Sequence, residues 1–552
     1  MRLTQTSDLW WKNAVVYCLD VETYADGDGD GCGDFRGLIQ QIDHLDRLGV
    51  TCIWLMPFYP SPDRDDGYDI TDFYGVDPRL GTLGDFVEFV RTARDRGIRV
   101  IADLVVNHTS IQHPWFQQAR SSPDNPYRDW YVWADEPPSD GPQGVTFPDK
   151  ETSLWQYDEE AGQYFLHRFY KFQPDLNVAY PAVRDEIARI IGFWMQLGLS
   201  GFRVDAVPFL LETSGQADAA DLPDPHDYLA DLRSFLNRRN GEGVLLGEVN
   251  LPYADTMEFF GKGDDELTMC FDFIGMQSMY LSLVRGDAGP IAEALRDRPQ
   301  PPKDAHWATF VRNHDELTLD KLSEAQRQEI FDAFGPDKDM QLYGRGLRRR
   351  LPPMVEGDQR RIRLVYSLLF ALPGTPVLFY GEEIGLGENL KVEGRLAVRV
   401  PMQWTAGPGG GFSTADPSTF PEPLAEGAFG PEHVNVRDQS RDPDSLLSFF
   451  RHLVDTYRGC PELAWGTVQV VDPGPKAGPV LAHRADVDGI SVVALHNFAD
   501  RKVTATLPLT GLDGRDLYDV LAADGSTVTV GDDARLKLTL PPYGYRWLRS
   551  AP

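Results

Sequence analysis

The chain has 552 residues, 42% of them hydrophobic, with 12 Trp, 21 Tyr and 29 Phe, which makes it a globular protein too long for one simple core: several domains, or one large barrel with additions. A formal charge of −31, offset by no basic patch, argues against a polyanionic partner such as nucleic acid and otherwise serves solubility. The five cysteines, Cys18, Cys32, Cys52, Cys270 and Cys460, form no C-x-x-C pair, which fits reduced thiols in a cytoplasmic protein better than a disulfide scaffold. Neither the opening MRLTQTSDLWWKNAVVYCLD nor the most apolar later run, LVYSLLFALPGTPVLFYG, broken by Pro373, Gly374 and Pro376, reads as a secretion signal or membrane anchor.

In chain order, short apolar strand candidates recur: AVVYCLDV, VTCIWLMPF, IRVIADLVV, SGFRVDAV, GVLLGEV, LTMCFDF, HWATFVRNH and TPVLFYGEE. Helical patterns lie between them, as in LIQQIDHLDRLGV with Leu38, Ile42, Leu45 and Leu48, and VRDEIARIIGFWMQL with Ile187, Ile190 and Trp194. Strands alternating with helices predict a parallel sheet, and eight of them predict an α/β fold of the (β/α)8 TIM-barrel type over residues 1–107 and 176–460. Residues 108–175, rich in Pro, Asp, Trp and Tyr, break the alternation after the third strand and read as an inserted small domain roofing the barrel mouth. From residue 461 to 552 the pattern changes to short runs such as GISVVALHNFA and KVTATLPL between Gly, Asp and Pro turns, which predicts a C-terminal antiparallel β-sandwich.

The stretch GFRVDAVP, residues 201–208, places Arg203 and Asp205 on one face of a strand whose other face is Phe202, Val204 and Ala206. On its own such a pair is as readily a structural ion pair as a functional one. The C-terminal ends of barrel strands build the active site in this architecture, and reading those ends gives Asp103, Asn107 and His108, then Arg203 and Asp205, then Glu248, then His314 and Asp315. Paired carboxylates of opposite protonation are what glycosidic cleavage requires, one attacking the anomeric carbon and one protonating the departing oxygen. Arg203 would keep Asp205 ionised as the nucleophile, while Glu248, preceded by the apolar LLG, is better placed to hold a proton as acid/base.

These ordered motifs, DLVVNH, GFRVDAVP, GEVN and FVRNHDE, resemble the conserved regions of the α-amylase superfamily, and QPDLN at 173–177 resembles the further region near the end of its inserted domain. The resemblance runs from about residue 10 to 450. It implies a retaining mechanism with Asp205 as nucleophile, Glu248 as acid/base and Asp315 as the third carboxylate, and a glucosyl-binding set of Asp65, Tyr68, His108, Arg203 and His314, with Arg399 retained in RVPMQW. Longer phrases, FYPSPDRDDGYDI, YRDWYVWAD, RRRLPPM, PVLFYGEEIG and PMQW, are similar to those of the trehalose synthases, which interconvert maltose and trehalose in a closed site. The chain departs from their pattern at GEVNLPY, at ELTMCFDFIGMQSMY, at GEEIGLGENL and at Val400. These changes surround the side that receives the leaving sugar, so they leave cleavage intact and leave an α-glucosidase as the alternative outcome, decided by water access. Noncatalytic relatives that serve as sugar-binding scaffolds have lost the carboxylates retained here.

The loop DGDGDGCGD, residues 26–34, clusters Asp26, Asp28, Asp30 and Asp34 among glycines, which suits a hard cation and equally suits a solvated acidic turn. It resembles the calcium loop of the superfamily's oligosaccharide-acting members, with Asp28 where Asn is usual and the Cys32 carbonyl as a further ligand. The resemblance implies a structural Ca2+, or Mg2+ in its place, and no cofactor in the chemistry. The expected partner is a small α-glucoside, with no membrane; a homo-oligomer is left open.

Overall fold

The computed structural model describes residues 7–137, 144–211 and 225–550. Eight strands form a closed, all-parallel barrel: β1 Val16–Leu19, β2 Cys52–Leu55, β3 Arg99–Leu104, β4 Gly201–Val204, β5 Val244–Gly247, β6 Met269–Phe271, β7 His306–Phe310 and β8 Thr375–Phe379. Each pairs with its neighbours in chain order, and β8 closes on β1 with Val16 opposite Val377. The strands are short and almost entirely buried, which is why they read as continuous apolar runs rather than alternating ones. Close packing fixes some positions outright: a Cβ on Gly201, at φ +147, would meet the Val244 carbonyl at 2.1 Å, so the start of β4 must be glycine.

Helices between the strands carry the local signals that the sequence contains. Asp34 caps Phe35–Leu48 by accepting from the Gly37 amide, and Gly49 ends that helix in the left-handed conformation. Thr82 and Asp85 form a reciprocal capping box on Leu83–Asp95.

Three excursions complete the chain. After β3, residues beyond Leu104 form the helix Pro114–Ser121 and a three-stranded antiparallel sheet, Trp133–Ala134, Gln163–Leu166 and Trp155–Asp158, whose neck is tied by bridges between His108 and Asp175 and between Tyr131 and Leu176. After β7, a second excursion contains the helix Glu324–Phe334 and a small sheet of Leu317–Thr318, Gly346–Leu347 and Gln341–Leu342, which the alternation pattern does not announce. The RRRLPPM arginines hold its return in place: Arg349 pairs with Glu388, and buried Arg350 donates to the carbonyls of Val398 and Tyr380. From Thr467 a six-stranded antiparallel sheet and a two-stranded sheet, Val503–Pro508 with Arg535–Leu540, enclose an apolar core of their own that includes Val493, Leu495, Ala505 and Leu536. No helix among the described residues is long and apolar enough to cross a membrane.

Candidate active site

The carboxyl ends of the strands open into a cavity of about 430 Å³ whose wall includes Asp65, Tyr68, His108, Asp205, Glu248 and Asp315. At its floor, the fully buried Arg203 is the hub: Nη1 donates to Asp103 (2.5 Å) and to Asp205 (2.6 Å), and Nη2 lies 2.7 Å from Glu248. The indole of Trp54 donates to the other oxygen of Asp103 (2.9 Å), and its ring lies 5.2 Å from the guanidinium carbon. Asp103 and Arg203 have fully buried side chains, whereas those of Asp205, Asp315 and Glu248 are 9%, 18% and 22% exposed. The first two are therefore scaffold, and the last three face the cavity.

Burial raises the carboxyl of Asp205 to about 6, with Arg203 opposing the rise; it raises Glu248 to about 7, again against Arg203 and with help from the charges of Asp205 and Asp315. Arg203 does lower Asp205, as the sequence reading expects, but desolvation, which that reading leaves out, is the larger effect, and one arginine is shared among three carboxylates. The ordering stands, because Asp205 ionises before Glu248. Asp315 goes the other way. Burial would raise it, but His314, Arg395 and Arg399 hold it ionised, far below the usual carboxylate range, with Arg395 at 2.6 Å and Arg399 at 3.3 Å from the same oxygen.

Arg395, which the sequence motifs do not single out, uses its second nitrogen to bind Asp65 at 2.6 Å; Gln173, from QPDLN, donates to the other Asp65 oxygen at 2.9 Å. Arg395 sits on the turn Gly394–Val398, four residues before Arg399, and that near repeat of arginine is its only signal. Arg399, by contrast, is absent from the cavity wall: it binds Asp66 and the His314 carbonyl and supports Asp315 from behind. Arg203 and His314 also stand behind the wall. Tyr68 stacks on His314 at 5.6 Å and shares a 2.6 Å hydrogen bond with its Nε2. His108 lines the cavity with Nε2 against the Tyr68 carbonyl and a buried Nδ1 without a protein partner.

Ala206, directly after Asp205, takes φ +45, an uncommon conformation for a residue with a Cβ; its amide donates to Glu248 at 3.2 Å. The strained turn thereby fixes Glu248 and Asp205 relative to each other.

On the opposite wall, Val145, Thr146, Phe147 and Phe169 of the inserted segment cover the cavity. Arg345, from the second excursion, donates to the Thr146 carbonyl (3.0 Å) and twice to Glu316 (3.0 and 3.2 Å), clasping the cover to the residue after Asp315. Asn250, in GEVN, donates to Asp320, and its Oδ1 is buried with no partner. Asn250 and Glu316 close the strand-end motifs GEVN and FVRNHDE, though the motifs do not single them out, and Arg345 has no strand-end signal; of the three only Asn250 falls in a stretch, GEVNLPY, that departs from the trehalose synthase pattern.

The loop 26–34 lies apart from this cavity's wall. Asp26, Asp28 and Asp34 bring carboxylate oxygens within 4.8 Å of one another, and Asp30 is not in that group. The Cys32 thiol approaches Glu22 and the Gly33 carbonyl, while Asp26 accepts from the amides of Gly29 and Gly31. Three hard oxygen donors on a loop wound about Asp26 fit a cation such as Ca2+. A second acidic group, Asp20, Glu22 and Asp66, has the same closeness, but burial and mutual charge raise Asp20 to about 7 and Glu22 to about 9, so it favours protons.

The α-amylase catalytic-domain model matches residues 21–331 and 348–466, and a sucrose hydrolase-like C-terminal domain model matches 489–549. A trehalose synthase of Thermus thermophilus is 41% identical over 97% of this chain, which spans 55% of that protein's length. A trehalose synthase/amylase of Mycobacterium tuberculosis is 40% identical over 98% of this chain and 90% of its own length. The crystal structure of the trehalulose synthase MutB from Pseudomonas mesoacidophila superposes with a TM-score of 0.77 at 26% identity, covering 98% of this chain and 99% of the other. The barrel with its three cavity-facing carboxylates and the match across most of the chain place the protein in the α-amylase family.

Proposed function

We propose that the protein interconverts maltose and trehalose by retaining transfer of one glucosyl unit inside the covered cavity. Asp205 attacks the anomeric carbon while Glu248 protonates the departing oxygen, and two carboxylates sharing the Arg203 guanidinium suit the short separation, about 5 Å, of the double-displacement route. Asp315, held ionised by Arg395, accepts hydroxyl hydrogen bonds from the glucosyl ring. The freed glucose stays under the cover, where Asn250 Oδ1 can accept one of its hydroxyls as it turns, and Glu248 then acts as base for its return. The observation that carries the reading is the Arg345 clasp between Thr146 and Glu316, because transfer outruns hydrolysis only where the glucosyl-enzyme is shielded from water.

Proton NMR of purified protein with maltose, and separately with trehalose, tests it. Each sugar should yield the other with little free glucose; glucose accumulating alone would make the protein an α-glucosidase and sink the transfer reading.

We also propose a structural Ca2+ held by Asp26, Asp28 and Asp34, supported by their convergence, which would fasten the loop to the helix that Asp34 caps. A cytoplasmic location is supported by the five thiols, all free in the fold.

A further inference from the structure

At the amino-terminal end of the barrel, opposite the catalytic mouth, lies a second cavity of about 470 Å³. Its wall is assembled from the turn before β1, the segment 298–303 before β7, the start of β7 and the helix Pro461–Trp465 with the strand that follows. The volume is that of a small-molecule site. Its composition inverts that of the chain: in a protein with 84 acidic and 53 basic residues, the wall carries Lys12, Arg298 and Lys303 and, among the described residues, no Asp or Glu.

Arg298 is already committed to Asp272 and to the Pro373 carbonyl. Lys12 and Lys303 are different. Lys12 reaches only the Lys303 carbonyl, and neither ammonium has a carboxylate within ion-pair distance among the described residues. The Lys12 ammonium is partly buried and lies 5.3 Å from the centre of the Trp465 ring, whose indole N–H has no acceptor. Asp304 and Asp264 act on the Lys12 ammonium only from beyond ion-pair distance, and a partly buried charge without a contacting partner is costly to the folded protein and is relieved by an anion. Burial lowers the Lys12 pKa against the charge of Asp304, and burial first, then Lys12 and Arg298, push His306 at the cavity floor to about 3, so His306 itself adds no charge.

We propose that this cavity binds a phosphate monoester carried on a ring, with Lys12 and Lys303 taking the phosphate and the face of Trp465 taking the ring. Two unpaired ammonium groups match the charge of a monoester, about −1.5 to −2 near neutral pH, better than that of a single carboxylate. The indole face suits either a sugar or a base, so a sugar phosphate and a nucleoside monophosphate share the required chemistry. The catalytic cavity, faced by Asp205, Glu248 and Asp315, repels the same ligand.

The test is calorimetric titration of the full chain with glucose 1-phosphate, adenosine monophosphate and inorganic phosphate at fixed ionic strength. At least one ring-bearing ester should saturate with a Kd about tenfold or more below that of inorganic phosphate, and which one does so identifies the source. Lys12→Gln with Lys303→Gln should weaken that binding about tenfold or more, and Trp465→Ala should reduce it to the level of inorganic phosphate, with maltose turnover unchanged. Lys303→Gln alone, at an exposed position, guards against misfolding of the double variant and should weaken binding in the same direction. The proposal is overturned if neither ester saturates by about 10 mM, if the lysine variants bind as the parent does, or if inorganic phosphate binds as tightly as the esters.

Discussion

On the side of the cavity proposed to receive the glucosyl unit, the arginines are tied to carboxylates: Arg203 to Asp103, Asp205 and Glu248, Arg395 to Asp65 and Asp315, Arg399 to Asp66 and Asp315. On the side proposed for the other sugar, the wall includes an inserted segment clasped by Arg345 and touched at Phe147 by Arg395, and an asparagine whose buried Oδ1 has no partner. The first side is a preorganised electrostatic frame, which in the proposed function recognises one ring and cuts one bond. The second is a cover whose closure decides what happens to the product of that cut. Chemistry and outcome are therefore separable by mutation.

The largest effect should come from Asp205→Asn, which removes the attacking oxygen while keeping an acceptor for Arg203; turnover of maltose and trehalose should fall by about four orders of magnitude or more, with the melting temperature little changed. Activity near the parent's would remove Asp205 from its role. Next, Arg395→Ala frees Asp65 and Asp315 from their shared guanidinium, and kcat/KM should drop about a hundredfold for either disaccharide; Arg395→Lys should recover only part of it, since one ammonium cannot span both carboxylates.

The pH profile sharpens the comparison without any mutation. Activity needs Asp205 ionised and Glu248 protonated, so kcat/KM should rise with pH through about 6 and fall above about 7, losing about tenfold per unit well outside that window. A plateau extending to pH 9 would contradict Glu248 as the acid. Arg345→Ala should act on the other side alone: the rate of bond cutting should stay within a few-fold while the share of free glucose rises several-fold. Equal loss of transfer and hydrolysis would show the clasp to be part of the frame instead. The smallest expected change is from chelation of the proposed loop cation, a fall of a few degrees in melting temperature with kcat at low temperature unaltered.

The same division governs what the order of amino acids makes legible. The barrel is legible because its strands are buried on both faces and recur between amphipathic helices such as Phe35–Leu48. Asp103, Asp205 and Glu248 are legible because barrel architecture sends strand ends to one mouth, so position along the chain stands in for position in space. Arg395 escapes for lack of any such rule: its turn, Gly394–Val398, belongs to no strand, and it reaches Asp65 across 330 positions of sequence. Arg399 draws attention as part of RVPMQW, yet the wall position is filled four residues earlier. Arg345 belongs to an excursion whose helix, Glu324–Phe334, is hidden among segments that read as barrel. In the loop 26–34 the spacing of Asp26, Asp28 and Asp34 is informative, whereas Asp30 has the same residue type and turns its oxygen to the Cys32 amide. Residue type and order reveal the frame; the cover depends on contacts between distant loops, which no local pattern encodes.

The most direct test of the account is to run unlabelled maltose with the protein in the presence of excess 13C-labelled glucose and to follow label entry into trehalose. A cover that stays shut between cutting and rejoining predicts trehalose formed at the catalytic rate and essentially free of label. Trehalose labelled in proportion to the bulk glucose would show that the leaving sugar escapes and returns through an open mouth, and would contradict the shielded cavity on which the proposed function rests.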